Sequence, residues 1–173
     1  GRGLSSTPTI SGATYWYNSG NTYFYYEDFA YPNYAFTNTS VTRTATVTDL
    51  NGNSASKSAS FSVRRVDNSN PSITFYNPGT QEFTTNGSST LQVSYRVNVS
   101  DVGQGVSTVS IPGASRTSGS GSGNWYFKET FSKSSYNYSN SSVTRTATVT
   151  DGAGRSKSAS VSFNIKIRDD AAP

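Results

Sequence analysis

Ten carboxylates hold nearly all of the acid–base chemistry open to this chain, which contains no histidine and no cysteine. They are Glu27, Asp28, Asp49, Asp67, Glu82, Asp101, Glu129, Asp151, Asp169 and Asp170. Without imidazole the commonest general base is gone, and without a thiol so is the strongest side-chain nucleophile. Most of these carboxylates stand in turn-forming surroundings such as Asp151-Gly152-Ala153-Gly154, where Asp serves to hydrogen-bond its own backbone. No nucleophile–base arrangement can be assembled from them, so the chain is expected not to be an enzyme.

The chemistry that remains for carboxylates is cation binding. Asp67-Asn68-Ser69-Asn70-Pro71 gathers oxygen donors, and it resembles the calcium-binding linkers of cadherins. Asp101 is expected to approach it from the loop after a long strand. Calcium takes six to eight oxygen ligands, several of them carboxylates. Asp67, Asn68, Asn70 and Asp101 are therefore the candidate calcium ligands, at a junction between modules. The same residues also read as a plain turn ahead of a proline, and the corresponding later stretch has Ala171 and Ala172 in place of polar ligands. No other cofactor is expected.

Aromatic side chains are the second resource. Tyr15, Trp16, Tyr17, Tyr23, Phe24, Tyr25, Tyr26, Phe29, Tyr31, Tyr34 and Phe36 crowd one short stretch. In the second half of the chain, Arg116, Thr117 and Ser118 are read opposite Tyr15, Trp16 and Tyr17, and Lys128 and Glu129 opposite Tyr25 and Tyr26. Positions that accept charge in one copy are expected to face solvent in both. Tyr15, Trp16, Tyr17, Tyr25 and Tyr26 are thus the expected contact surface, because exposed apolar patches mark contact sites. Tyr and Trp join apolar area to a polar handle, which suits carbohydrate stacking or a protein interface. The plainer reading is β-propensity and packing.

These residues must be positioned by an internal repeat. Ser40-Val-Thr-Arg-Thr-Ala-Thr-Val-Thr-Asp49 recurs letter for letter from Ser142 to Asp151, 142 − 40 = 102 positions later. The correspondence runs without a gap from Ser40 to Pro71, matching Gly52 to Gly154, Phe61 to Phe163 and Asp67 to Asp169. Self-similarity at a fixed period marks an array of structural modules, and a period near 100 residues fits a β-sandwich. The expected division is 1–68 as the rear part of one repeat with its front strands outside the window, 69–170 as a complete repeat, and 171–173 as the start of a further one.

Strand signals fill the complete repeat. Leu91, Val93, Tyr95, Val97 and Val99 alternate with polar residues, apolar inward and polar outward. Pro71 to Phe75, Val106 to Ile111, Trp125 to Phe131, Val143 to Thr150 and Ala159 to Ile167 are further expected strands. About seven strands per module, and no helical periodicity, predict an all-β chain of tandem antiparallel immunoglobulin-like β-sandwiches.

Composition narrows the partners. Charged residues make up 14% of the chain and the net charge is only +4, spread rather than clustered. No basic stripe or recognition motif points to nucleic acid. No apolar run approaches the roughly 18 residues of a membrane span. Absence of cysteine excludes a disulfide framework and points to a bacterial or phage protein.

The hairpin Ala45-Thr-Val47-Thr-Asp49-Leu-Asn-Gly52-Asn53-Ser54, with the strand and proline-ended junction after it, resembles bacterial immunoglobulin-like repeats. It is also similar to the related HYR-type modules. The second copy has Arg155 where that pattern has Asn. The resemblance implies a non-enzymatic structural or adhesive segment of a long extracellular protein, on a bacterial surface or a virion. Such a segment serves as a rigid spacer or fibre, its partners a protein or glycan receptor or neighbouring copies. Two other roles are implied: a phage fibre or capsid or tail decoration, and a glycan-binding accessory module of a secreted enzyme.

Overall fold

Alternating apolar residues such as those from Leu91 to Val99 write the core strands of this chain. The computed structural model describes residues 3–171, so most of the stretch expected to open a further repeat, Ala172 and Pro173, lies outside the described residues. The chain divides into two compact units, Gly1–Val66 and Asp67–Pro173. No helix among the described residues is long and apolar enough to cross a membrane.

The first unit contains β1 (Thr9–Ile10), β2 (Thr14–Ser19), β3 (Thr22–Tyr26), β4 (Thr39–Thr48) and β5 (Ser54–Val63). The second contains β6 (Ser72–Tyr76), β7 (Gln81–Thr84), β8 (Thr90–Ser100), β9 (Val106–Ser110), β10 (Ser115–Ser118), β11 (Gly123–Ser132), β12 (Ser141–Asp151) and β13 (Ser156–Arg168).

In the second unit two four-stranded sheets form, ordered β10-β11-β8-β6 and β7-β13-β12-β9. Read in chain order, this is the ABED and CFG arrangement of an immunoglobulin-like sandwich, with β7 added beside the last strand. All pairs are antiparallel except β7 with β13, which run parallel. Strand β8 supplies Val93, Tyr95, Val97 and Val99, each no more than 1% exposed. Against them pack Trp125, Phe127 and Phe131 of β11, Val143, Ala147 and Val149 of β12, and Phe163 and Ile165 of β13. Each buried aliphatic side chain contributes about 1.5–3 kcal/mol.

Two of these eight strands differ from the sequence expectation. β7 is four residues long with one buried residue, Phe83, too short for alternation to register. β10 is wholly exposed and carries no apolar residue, so only its pairing with β11 defines it.

The closing hairpin of the first unit repeats that of the second residue pair by residue pair. Val41 pairs with Phe61 across β4 and β5 as Val143 pairs with Phe163. Gly52 and Gly154 both adopt φ +85°, a left-handed conformation that glycine reaches without steric cost. The 3-10 turns Tyr31–Asn33 and Lys133–Ser135 occupy equivalent positions. Its sheets are β2-β3 and β1-β4-β5. Counterparts of β6, β7 and β8 are absent among the described residues of this unit. Val41 is the one buried hydrophobic residue among the described residues of the unit.

Candidate functional site

Three aspartates of the second unit converge. Asp67, Asp101 and Asp151 each place a carboxylate oxygen within 4.8 Å of the others. Asp67 opens the unit, Asp101 follows β8, and Asp151 closes β12 at the hairpin turn. Each folds its own loop by accepting backbone N–H groups. Asp151 Oδ1 accepts from Ala153 N at 2.9 Å and Arg155 N at 2.8 Å. Asp101 Oδ2 accepts from Gly103 N at 3.0 Å and Gly105 N at 2.8 Å. Asp67 Oδ2 accepts from Gln104 N at 2.7 Å, while Oδ1 accepts from the Ser69 backbone N at 3.0 Å and its hydroxyl at 2.6 Å.

The cation in this cluster is Arg155. Its Nη2 lies 2.7 Å from Asp67 Oδ1 and its Nε 3.2 Å from Asp151 Oδ2. Ser69 Oγ, 3.2 Å from Asp101 Oδ1, ties in the third carboxylate. The Asp67 carboxyl is held at about 2, chiefly by the Ser69 hydroxyl and the Gln104 N–H, with Arg155 adding to them against the opposing effect of burial. Gly103 is required by close approach, since a Cβ there would stand 2.0 Å from the Asp67 carboxyl group.

This arrangement does not fit calcium as it stands. Of the four expected ligands, Asp67 and Asp101 come together, whereas Asn68 and Asn70 are exposed. Asp151 takes part instead. Five of the six carboxylate oxygens accept a hydrogen bond or face the guanidinium, and Asp101 Oδ1 has only a share of the Ser69 hydroxyl that Asp67 already takes, so a calcium ion bridging all three would have to displace Arg155 from between Asp67 and Asp151.

A second ionic group joins the two sheets. Glu129 sits on the inner face of β11 between Phe127 and Phe131, and Arg145 on β12 between Val143 and Ala147. Arg145 grips the carboxylate at both ends, Nε to Oε2 at 2.8 Å and Nη2 to Oε1 at 2.5 Å. Tyr95 on β8 donates its hydroxyl to Oε2 at 2.7 Å. Burial alone would raise the Glu129 carboxyl, but the hydrogen bonds from Arg145 and Tyr95 outweigh it and hold it below its ordinary value. Burial, followed by Glu129, pushes the Tyr95 phenol well above the usual range. A carboxylate so fully engaged locks three strands together and has no free oxygen for proton transfer.

The first unit repeats part of this group. Arg43 donates Nε to Glu27 Oε2 at 2.7 Å and Nη2 to Glu27 Oε1. The 102-residue offset that carries Arg43 to Arg145 carries Glu27 to Glu129. This corrects the expected alignment of the aromatic stretch. Tyr25 falls on buried Phe127, and Tyr26 on Lys128. A charged residue at an inward position in both copies is the sequence signal for these ion pairs.

The aromatic residues accordingly split between two faces. Phe24 and Tyr26 on β3 are exposed, while Tyr23 and Tyr25 between them are half-buried. Tyr25 donates its hydroxyl to the Pro8 carbonyl and meets Tyr15 edge-on, ring centroids 5.7 Å apart. Together with Ile10 and Ala13 these two rings line a cleft. Outward, Tyr17 stacks on Phe24 with centroids 4.5 Å apart and an interplanar angle of 9°. Trp16, 66% exposed, stands edge-on to Tyr17 at 4.8 Å. A bulge between Tyr15 and Tyr17 turns these neighbours apart. Phe24, 37% exposed, joins these outward rings although it is not among the five residues expected as the contact surface.

Comparison with known proteins gives fold-level likeness only. No family model matches the chain, and no curated protein matches it. Among solved structures, a cis-dimer of protocadherin gammaB7 domains EC3-6 is similar at TM-score 0.47 and 15% identity, covering 96% of this chain and 41% of that one. The extracellular domain of protocadherin gammaB4 gives 0.45 and 14%, covering 94% of this chain and 26% of that one. The sialic acid binding region of a Streptococcus sanguinis adhesin gives 0.38 and 16%, covering 80% and 39%. The chain therefore spans less than half the length of each.

Proposed function

We propose that this chain is a structural and adhesive segment, without catalytic activity, of a longer extracellular protein built from such sandwiches in series. Each sandwich acts as a rigid spacer, and the outward aromatic face of β2 and β3 meets a protein or glycan receptor. A bacterial surface or a virion is the setting this reading favours. One observation carries it: the chain repeats a single module pattern down to its turn and ion-pair hydrogen bonds, and it commits its inward-facing charges to holding strands together.

The exteriors support the same reading. Threonines of β12 pair hydroxyl to hydroxyl with serines of β13, as in Thr146 with Ser160 and Thr148 with Ser158, each at 2.8 Å. The first unit repeats this ladder with Thr44 and Ser58, and Thr46 and Ser56, also at 2.8 Å. Such cross-strand hydroxyl pairs stabilise an exposed strand face without making it sticky.

The contact surface favours a stacking partner, because Trp16, Tyr17 and Phe24 present ring faces and edges rather than charge. Its test is binding of the full chain to arrayed glycans and to immobilised copies of itself, before and after Trp16→Ala with Tyr17→Ala. Loss of binding with an unchanged circular dichroism spectrum supports the contact surface. Binding that survives the double substitution contradicts it.

A further inference from the structure

The outer face of the β10-β11-β8-β6 sheet carries a row of side chains that the core does not use. Buried Tyr95 and Val97 flank Arg96 on β8, so strand alternation turns Arg96 outward. Tyr76 on β6 stands opposite it on one side and Tyr126 on β11 on the other. All three are exposed. The Arg96 guanidinium lies over the Tyr76 ring, 3.8 Å from its centroid.

Charge on this face is one-sided. Glu129 is the one carboxylate within these four strands, and it turns inward to Arg145. The outer face therefore presents the cations Arg96 and Lys128 with no anion. Arg145, Arg155 and Arg168 each meet a carboxylate. Arg96 has no ion pair or hydrogen bond among the described residues and stacks on an aromatic ring instead. A guanidinium stacked this way keeps its planar N–H fork free and pre-organised for a carboxylate.

The neighbouring groups are those a sugar needs. In the next row Asn98 Nδ2 donates to Asn124 Oδ1 at 3.0 Å, which leaves one amide acceptor and one amide donor to spare. The remaining outward side chains of β6, β8 and β11 are Ser, Thr or Gln. A protein interface centres on packed apolar side chains. Separate rings among amides and hydroxyls match a sugar instead, whose apolar face stacks while its hydroxyls hydrogen-bond.

We propose that this row is a binding site for a carboxylated glycan. Arg96 takes the carboxylate through its N–H fork, Tyr126 takes the apolar face of a sugar ring, and Asn98 and Asn124 take hydroxyls. Lys128 adds attraction at longer range. With neighbouring strands about 4.8 Å apart, the row from Tyr76 to Tyr126 is roughly 10 Å long, the span of a disaccharide. The site belongs to the second unit and does not rest on the β2–β3 contact surface.

The test uses the full chain, with and without Trp16→Ala and Tyr17→Ala. Binding is measured to polygalacturonate, to a sialylated oligosaccharide, to the methyl ester of each, and to polyglutamate. The expected result in both backgrounds is binding to one or both carboxylated glycans, weakened roughly tenfold or more by esterification. Arg96→Gln and Tyr126→Ala are each expected to weaken it roughly tenfold or more, with urea midpoints unchanged. Arg96→Lys should not restore it, because an ammonium lacks the planar fork. Lys128→Gln should cost only about twofold. Failure to bind either glycan, or binding indifferent to Arg96→Gln, overturns the proposal. Polyglutamate bound as tightly as the glycans assigns the face to acidic protein or to bulk charge, and overturns it too. So does binding that disappears with Trp16→Ala and Tyr17→Ala, since that places the glycan on the first unit.

Discussion

Phe61 and Phe163 occupy the same position in the two repeats, yet Phe163 is 4% exposed and Phe61 is 44% exposed. Sequence identity at a site therefore does not fix its energetic weight; the strands opposite do. Phe163→Ala is expected to cost about 3–5 kcal/mol, the range for emptying an aromatic core position. Phe61→Ala is expected to cost less than about 1 kcal/mol, as for a surface residue. Urea unfolding of the two variants checks the contrast, and equal losses would contradict it.

Glu129 is the group whose loss leaves most behind. Glu129→Ala strands the Arg145 guanidinium and the Tyr95 hydroxyl within the sandwich, and is expected to cost about 2–4 kcal/mol. Tyr95 adds an alkaline signature. Its raised phenol means the neutral form is favoured by folding, so this contribution is whole below pH about 10 and is lost as pH rises beyond it. A fall in the unfolding midpoint above pH 10 that Tyr95→Phe abolishes is the expected observation.

Asp67 gives the acid counterpart. Its carboxyl sits at about 2 in the folded chain against an ordinary 3.8, so folding favours the ionised form. The stabilisation is complete above the ordinary value and drains away as pH falls from about 4 towards 2. Midpoints measured across that window should fall more steeply for the wild-type chain than for Asp67→Asn.

Arg155 makes the aspartate cluster independent of added metal. The melting temperature of the wild-type chain should not respond to millimolar calcium or to a chelator. Arg155→Asn, the residue that Asn53 supplies in the first repeat, leaves three carboxylates facing one another. That variant should melt lower and regain several degrees in millimolar calcium, by preferential binding to the folded state. A calcium response in the wild-type chain would contradict the assignment.

Much of the fold was legible because its signals are local. The alternation from Leu91 to Val99 wrote β8 directly, and the copied hairpin wrote β4–β5 and β12–β13 together. What stayed hidden depended on long-range pairing. Gln81–Thr84 is a strand only because β13 lies beside it, and Ser115–Ser118 only because β11 does. The aspartate cluster was half visible: Asp67 and Asp101 could be named, but Asp151 reached them only through the fold. Arg155 was noticed as a departure from a turn pattern, whereas its role as the resident cation needed coordinates. At Tyr25 a misplaced alignment hid an inward position, which the paired glutamates Glu27 and Glu129 would have fixed.

The central claim is that Asp67–Pro173 is a self-sufficient module with the mechanical integrity of a spacer. Pulling the full chain from its two ends in a single-molecule force experiment tests it most directly. The predicted record contains one discrete, high-force event that lengthens the chain by roughly 35 nm, the extended length of one repeat. Gradual extension without that event, or a single event releasing the whole chain at once, would contradict it.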